Sequence, residues 1–303
     1  MSSRSKANRS LFFERMCARQ AGKFRDAELS VKKAFARQLK CINHLPIHRE
    51  LLDQFDVVLT TNYDHTLEAS WSGPLYEHCP VYPESRYSLF RRLKVGAKQI
   101  WHVHGDVDYP SSLVLGYDQY AGYLQKIRNY LTEGIKVDGA GTRRSPLKIG
   151  AMDFQAERLH HSWVDFFLRD HLHIVGLGLG FTEIDLWWLL LHKRRRATQT
   201  GRTFYYDAVV GPSYHSNSDT KSVLRALGVE VLDVPADSYA EGYAAVVSLV
   251  AKNIRENSAY LPVNPSNVSV SPTMSTDAQV NSRAKSAQLQ LRFRRKKLRA
   301  RSP

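Results

Sequence analysis

Three short stretches of this 303-residue chain put chemically capable side chains beside turn formers. In Thr60-Thr61-Asn62-Tyr63-Asp64 a short amide and a carboxylate follow an apolar, β-branched run, and together they can bind ribose hydroxyls or position a water. The same residue types favour strand ends and helix N-caps for local hydrogen-bonding reasons, so the stretch also reads as a turn. His104-Gly105-Asp106 follows a second apolar run. An imidazole titrating near neutrality can act as general base or orient a hydroxyl, and the glycine lets a ligand approach the backbone. A satisfied structural histidine is the plainer alternative, and His102 is assigned to the opposite, core face. Gly176-Leu177-Gly178, followed by Leu179, resembles half of a phosphate-binding turn whose helix N-terminus can receive an anion, although tight strand-to-helix packing asks for the same glycines. No Glu or Cys stands at metal-ligand spacing, so no metal is expected.

These stretches need strands to carry them. The segment HRELLDQF after Pro46 reads as a short helix feeding the strand DVVLT, while QIWHVHG, SLVLG, LHIVG, FYYDAVV and VEVLDV read as further strands. Helical patterns lie between them, including EIDLWWLLLHKRR, whose Trp187 to Leu191 read as core or subunit interface, and the region AERLHHSWVDFFLRD. Strands alternating with helices predict an α/β parallel sheet with helices on both faces, in which ligands collect beyond the carboxyl ends of the strands. Residues 10–40 carry apolar positions at helical spacing. From Ser258 onward Pro, Ser, Asn and Thr dominate, and the fold is expected to stop near residue 257 with a disordered tail behind it. Three parts are therefore expected: a basic helical segment 1–41, a domain 42–257, and a linker with basic tail 258–303.

The formal charge of +14 sits at the ends: residues 1–40 hold 11 basic and 3 acidic side chains, residues 278–303 hold 9 basic and none acidic, and the body between has 23 basic against 26 acidic. That split argues against a nucleic-acid-binding core, because phosphate contact needs the basic patch on the folded surface. The tail can still touch nucleic acid weakly. Cys17, Cys41 and Cys79 form no C-x-x-C pair, which excludes a zinc ribbon or disulfide framework and reads as reduced, cytoplasmic thiols. Export and membrane spans are not expected, since the most apolar window is short and broken by Glu183 and Asp185.

Taken in order, TTNYDHTLE, VHGDVDYPSSLVLGYDQYAGYL and HIVGLGLGFTEIDLWWLL resemble the Asn motif, the catalytic-His segment and the last nucleotide-binding turn of the sirtuin-like NAD-hydrolase domains of bacterial antiphage defence proteins. The resemblance covers about Ile42 to Asn253. It implies a Rossmann-like, DHS-like NAD/FAD-binding fold, with NAD as substrate or ligand. It also implies that Asn62 holds the nicotinamide ribose and the attacking water, and that His104 acts as general base or ribose partner. Thr61, Asp64 and Gly105 would shape that end, while Gly176, Gly178 and Leu179 would lie along the adenosine side. Breaking the C1′–N bond builds oxocarbenium character, so such a site needs ribose positioning, a placed water and a weak base.

Two departures stand out. The family opens with a strand and a Gly-Ala-Gly-x-Ser loop that cradles the pyrophosphate, whereas residues 1–41 contain only Gly22. Either that segment is encoded upstream or this copy has lost it, and with it activity. The four-cysteine zinc module of deacylating sirtuins is also missing, which makes acyl-lysine removal the poorer reading. The expected function is hydrolysis of NAD to nicotinamide and ADP-ribose. The alternative is a non-catalytic module that binds NAD or ADP-ribose, or a scaffold of the same fold. Expected partners are NAD, a second copy or a defence protein, and no membrane.

Overall fold

Val57–Thr60, with three β-branched side chains in four residues, forms β1, the short strand expected of a buried parallel sheet. It follows helices α1 (Phe12–Ala18), α2 (Phe24–Leu39) and α3 (Pro46–Asp53), the last opened by a proline at its first position. After β1 come α4 (Thr66–Ser72), β2 (Glu77–Pro80), β3 (Arg91–Val95), β4 (Lys98–His102), a 3-10 turn at Pro110–Ser112 and α5 (Tyr117–Glu133). A two-residue ribbon, β5 (Ile135–Lys136) with β6 (Arg143–Arg144), precedes α6 (Trp163–Arg169). Then follow β7 (Leu172–Val175), α7 (Ile184–Arg194), β8 (Thr203–Val210), α8 (Ser218–Ala226), β9 (Glu230–Ala236) and α9 (Tyr239–Asn257). The computed structural model describes residues 11–72, 75–80, 84, 86–136, 143–144, 162–197, 200–211 and 218–257.

The main strands form two sheets, ordered β1-β4-β3-β2 and β7-β8-β9. β1 and β4 run parallel with Thr60 opposite His102, and β7, β8 and β9 are all parallel. Alternation along each strand splits the side chains between layers. Trp101 and Val103 join Tyr123 and Ile127 of α5 and Trp163 of α6, whereas Ile100 packs with Leu52 of α3 and Leu67 of α4. In the second sheet Tyr205 enters the same core as Leu189 and Leu190 of α7, while Phe204 and Tyr206 meet Val246 and Val250 of α9. One core therefore runs beneath both sheets, giving an α/β fold with helices on two faces, consistent with the Rossmann-like expectation. The N-terminal helices pack on this body through Phe13, Val31 and Ala36 against Leu113 and Leu115.

Two expectations change. The sheet is not wholly parallel: β3 and β4 form an antiparallel hairpin turned by Gly96 at φ 58, and β2 pairs antiparallel with β3. SLVLG is not a strand. The 3-10 turn takes its first residue, and the Gln119 side chain accepts from the amides of Leu115 and Gly116 at 2.9 and 3.2 Å, filling the role of a strand partner. The Gly-rich connection beyond Lys136, the first part of AERLHHSWVDFFLRD and the tail from Ser258 lie outside the described residues, apart from Arg143–Arg144. α6 starts where Ser162 and Asp165 form a reciprocal cap, with the Val164 amide donating to Ser162 Oγ and the Ser162 amide to Asp165 Oδ2.

Leu52, in the last turn of α3, is fully buried under β4, and Leu45, which caps the start of the same helix, is 60% exposed. Leu52→Ala is expected to destabilise by about 2–5 kcal/mol and Leu45→Ala by less than about 0.5 kcal/mol, as read from urea denaturation midpoints.

Candidate functional site

The carboxyl ends of β1 and β4 are fixed to each other by a buried imidazole. His102 Nε2 lies 2.8 Å from Glu68 Oε1 and Nδ1 lies 2.8 Å from the Asn62 carbonyl. Both partners are acceptors, so the ring carries both protons. Burial alone would lower its pKa, but the charge and hydrogen bond of Glu68, with Asp106 behind it, raise it to about 9. The result is a cation inside the core that holds the backbone of Asn62 from below. Asn62 itself is exposed, its amide donating to Thr60 Oγ1 at 3.1 Å. Asp64 turns away from the opening: its Oδ1 accepts from the amide and hydroxyl of Thr66 at 3.0 and 2.6 Å, starting α4.

His104 goes elsewhere. Residues two apart share a strand face, yet β4 ends at His102 and the chain turns at Gly105, whose φ is +93, so the two rings separate for that reason rather than by alternation. His104 Nε2 donates to Asp185 Oδ2 at 2.9 Å, and the ring packs edge-on against Tyr120 and Tyr123. Its carbonyl accepts from the Val114 amide. With Nε2–H committed to Asp185, Nδ1 is the nitrogen left to take a proton. Asp185 is the residue whose role the sequence leaves unseen: it stands in the first turn of α7, where it reads only as a charge that breaks an apolar window. Its spacing from Gly178 carries the signal, since a carboxylate one helical turn past a strand-end loop can face the neighbouring loop.

A second polar group flanks this end. His65, Asp106 and Asp108 bring ligand-type atoms within 4.8 Å of one another, with His78 Nε2 at 3.2 Å from Asp108. The carboxylates already have cations: Arg91 on Asp106 and Lys40 on Asp108, joined there by the Tyr76 hydroxyl. Burial works against the charge of Asp108, but Lys40, Tyr76 and the histidines outweigh it and hold the carboxyl at about 2. These side chains act as a charge-balanced brace for the loop 104–112.

Between β1 and β7 lies a cavity of about 400 Å³ whose wall includes Thr61, Asn62, Gly176 and Leu179. Asp64, His104, Gly105 and Gly178 are not in that wall. Gly176 needs its glycine, with φ +68 and Tyr243 Oη 3.3 Å from an added Cβ, whereas a Cβ on Gly178 would meet open space. Leu179 has φ 45 and is buried. The positive end of α7 faces Glu183 and Asp185; burial, with Asp185 adding to it and His104 opposing, pushes the Glu183 carboxyl upward. Two acids at that helix start oppose an anion there.

The family model described as SIR2-like domain matches residues 56–232, more than half of the chain and the span that carries all three strand-end loops. The chain belongs to this SIR2-like domain family. No curated protein and no solved structure matches it. The SIR2-like domain is a sirtuin-like, NAD-related module, and NAD is the ligand its family points to. Among the described residues, no helix is long and apolar enough to cross a membrane. The donors fit NAD in part. Thr61 and Asn62 stand at the opening with hydroxyl and amide, as a ribose requires. The pyrophosphate has no matching donors at α7, where the acids stand.

Two outcomes follow for this SIR2-like domain. A Cβ at Gly105 would lie 2.5 Å from the Ser112 carbonyl at a φ that L-residues rarely adopt, so Gly105→Ala is expected to lower the melting temperature and release the 104–112 loop, measured by limited proteolysis. His102 has a raised folded pKa, so its contribution to stability is complete below about pH 6.5 and disappears as pH rises through about 9. Between pH 6 and 10, wild type should lose on the order of 3 kcal/mol relative to His102→Gln in paired chemical denaturation series.

Proposed function

We propose that this chain is an NAD glycohydrolase of the antiphage-defence kind, cleaving the bond between nicotinamide and ribose to release nicotinamide and ADP-ribose. The single observation that supports it most is the buried His104 to Asp185 hydrogen bond at 2.9 Å, set at the end of β4 beside the β1 end that presents Asn62. An imidazole oriented through one nitrogen by a carboxylate is the arrangement that lets the other nitrogen accept a proton. In this reading Asn62 and Thr61 hold the nicotinamide ribose and a water near C1′, His104 takes the proton of that water or of a ribose hydroxyl, and Asp185 fixes the ring. Gly176 and Leu179 border the adenosine side. The developing charge on the ribose is met by the acidic surroundings of Glu183 and Asp185.

One observation favours the second reading, a non-catalytic NAD- or ADP-ribose-binding module: His104 is only 1% exposed, so a substrate reaches it only if the 104–116 loop or the adjoining cavity opens. The test is nicotinamide release from NAD by the purified chain, with NAD binding measured separately by calorimetry. His104→Ala is expected to lower the rate by about 10²- to 10⁴-fold, and Asn62→Ala to a similar degree. Asp185→Asn should reduce kcat more than it changes KM, because it disturbs the ring and not the binding contacts. Binding without release in the wild-type protein would replace the hydrolase with the binding module.

A further inference from the structure

Helices α1 and α2 sit on the stretch of chain that hides His104. Their polar contacts fall on residues 108–119. Lys40 Nζ, just past α2, donates to Asp108 Oδ1 at 2.8 Å and Lys32 Nζ to the Ser111 carbonyl at 3.5 Å, while Glu14 Oε1 accepts from the Tyr117 amide at 2.6 Å and Glu28 Oε1 from Gln119 Nε2 at 3.5 Å. Their apolar contacts fall on the same stretch, with Phe13 and Val31 meeting Leu115 and Ala36 meeting Val107 and Leu113. Phe35 adds an edge contact to Tyr63, with 5.9 Å between ring centres. From Tyr63 two hydrogen bonds lead to the site: its hydroxyl donates to the Val114 carbonyl at 2.7 Å, and the Val114 amide donates to the His104 carbonyl at 2.9 Å. Glu14 also does for α5 what its N-cap, Gly116, cannot do, by giving a first-turn amide a side-chain acceptor. Tyr120, three residues on, carries the ring that stands edge-on to His104.

We propose that α1 and α2 form an autoinhibitory gate, which in the arrangement described holds residues 107–119 closed over His104 and swings away to admit a ligand. Three observations carry it. His104 is 1% exposed, so no ligand reaches its ring while that segment lies in place. The helix pair is built to move as a unit: Phe13, Cys17, Ala27 and Val31 make a small core between the two helices, apart from the large core beneath the sheets. The pair is tethered to α3 by residues 41–45, which are all exposed and outside helix and strand, and such a connection absorbs the backbone rotation of a hinge. The grip itself is of a strength that can be undone, because a few apolar side chains share it with polar contacts such as that of Lys40, which is half exposed. Closure lowers apparent affinity in proportion: a gate open about 1% of the time makes binding roughly 100-fold weaker than the open site allows. Loosening the gate therefore raises access to the site, the opposite sign from ordinary damage. Only the identity of the admitted ligand rests on the hydrolase reading.

The test is carbethoxylation of histidines by diethylpyrocarbonate in the whole chain, read residue by residue by peptide mass spectrometry. His44 is exposed and should react fast in every protein, whereas His102, buried with both ring nitrogens bonded, should stay unreactive wherever the body is intact. His104 should react slowly in wild type. Glu14→Ala combined with Lys40→Ala removes two of the polar grips and leaves the apolar contacts in place, and it should speed His104 labelling by about three- to tenfold. Ala36→Asp sets a charge between Val107 and Leu113 and should speed it by at least about tenfold. Wild-type His104 labelled as fast as His44, or unchanged labelling of His104 in either variant, would overturn the gate. Equal acceleration of His102 and His104 would overturn it too, being the mark of a body that loosens throughout. NAD binding by calorimetry and nicotinamide release are followed on the same proteins: faster labelling without release leaves the gate standing and removes the hydrolase reading alone.

Discussion

A hydrogen bond between a buried imidazole and a buried carboxylate, His104 to Asp185, joins the loop leaving one sheet to the helix leaving the other. It crosses between elements 81 residues apart in sequence, and neither group reaches water. In such surroundings a broken bond strands a polar group at a cost of about 1–3 kcal/mol or more. The 104–116 loop, the start of α7 and the tyrosines around the ring are therefore fixed as a group. The common core beneath both sheets does the remaining alignment. Without both, the ends of β1, β4 and β7 would not share a face.

Charge is distributed to suit that geometry. His102 is a buried cation answered by Glu68; Arg91 and Lys40 answer Asp106 and Asp108. Each pair lies just under a loop that leaves a strand, so electrostatics serves to hold loop backbones rather than to hold the layers together. Elsewhere packing carries the load, as at Leu52, Trp101 and Ile127, none of which is exposed. Lys193, buried on α7, shows the same economy: burial lowers its pKa to about 7 while its ammonium donates to the carbonyls of Phe167 and Asp170.

Much of this was legible from the chain. Apolar β-branched runs marked β1, β7 and β8, and the residues just after β1, β4 and β7 were recognisable because turn formers and polar groups follow each run without a gap. The hairpin of β3 and β4 was less visible, since RRLKV alternates charged and apolar residues over too few positions to separate it from a loop. The partnership of Asp185 with His104 was hidden by its setting in the most apolar helix, where tryptophans and leucines dominate the pattern and the acid reads only as an interruption. SLVLG looked like a strand by composition, but a side chain three to four residues on had claimed its backbone. Such long-range or side-chain competition leaves no periodic mark.

Leu179 gives the turn after β7 a mechanical character. A leucine at φ 45 sits in a backbone region that costs roughly 1 kcal/mol or more for a side chain of its size, and it stays there because that side chain is gripped by the core. The same side chain forms part of the wall between β1 and β7. The turn therefore behaves as a loaded latch: the tightness of packing along that wall and the shape of the Gly176 to Gly180 backbone are one variable, and loosening either lets the other relax.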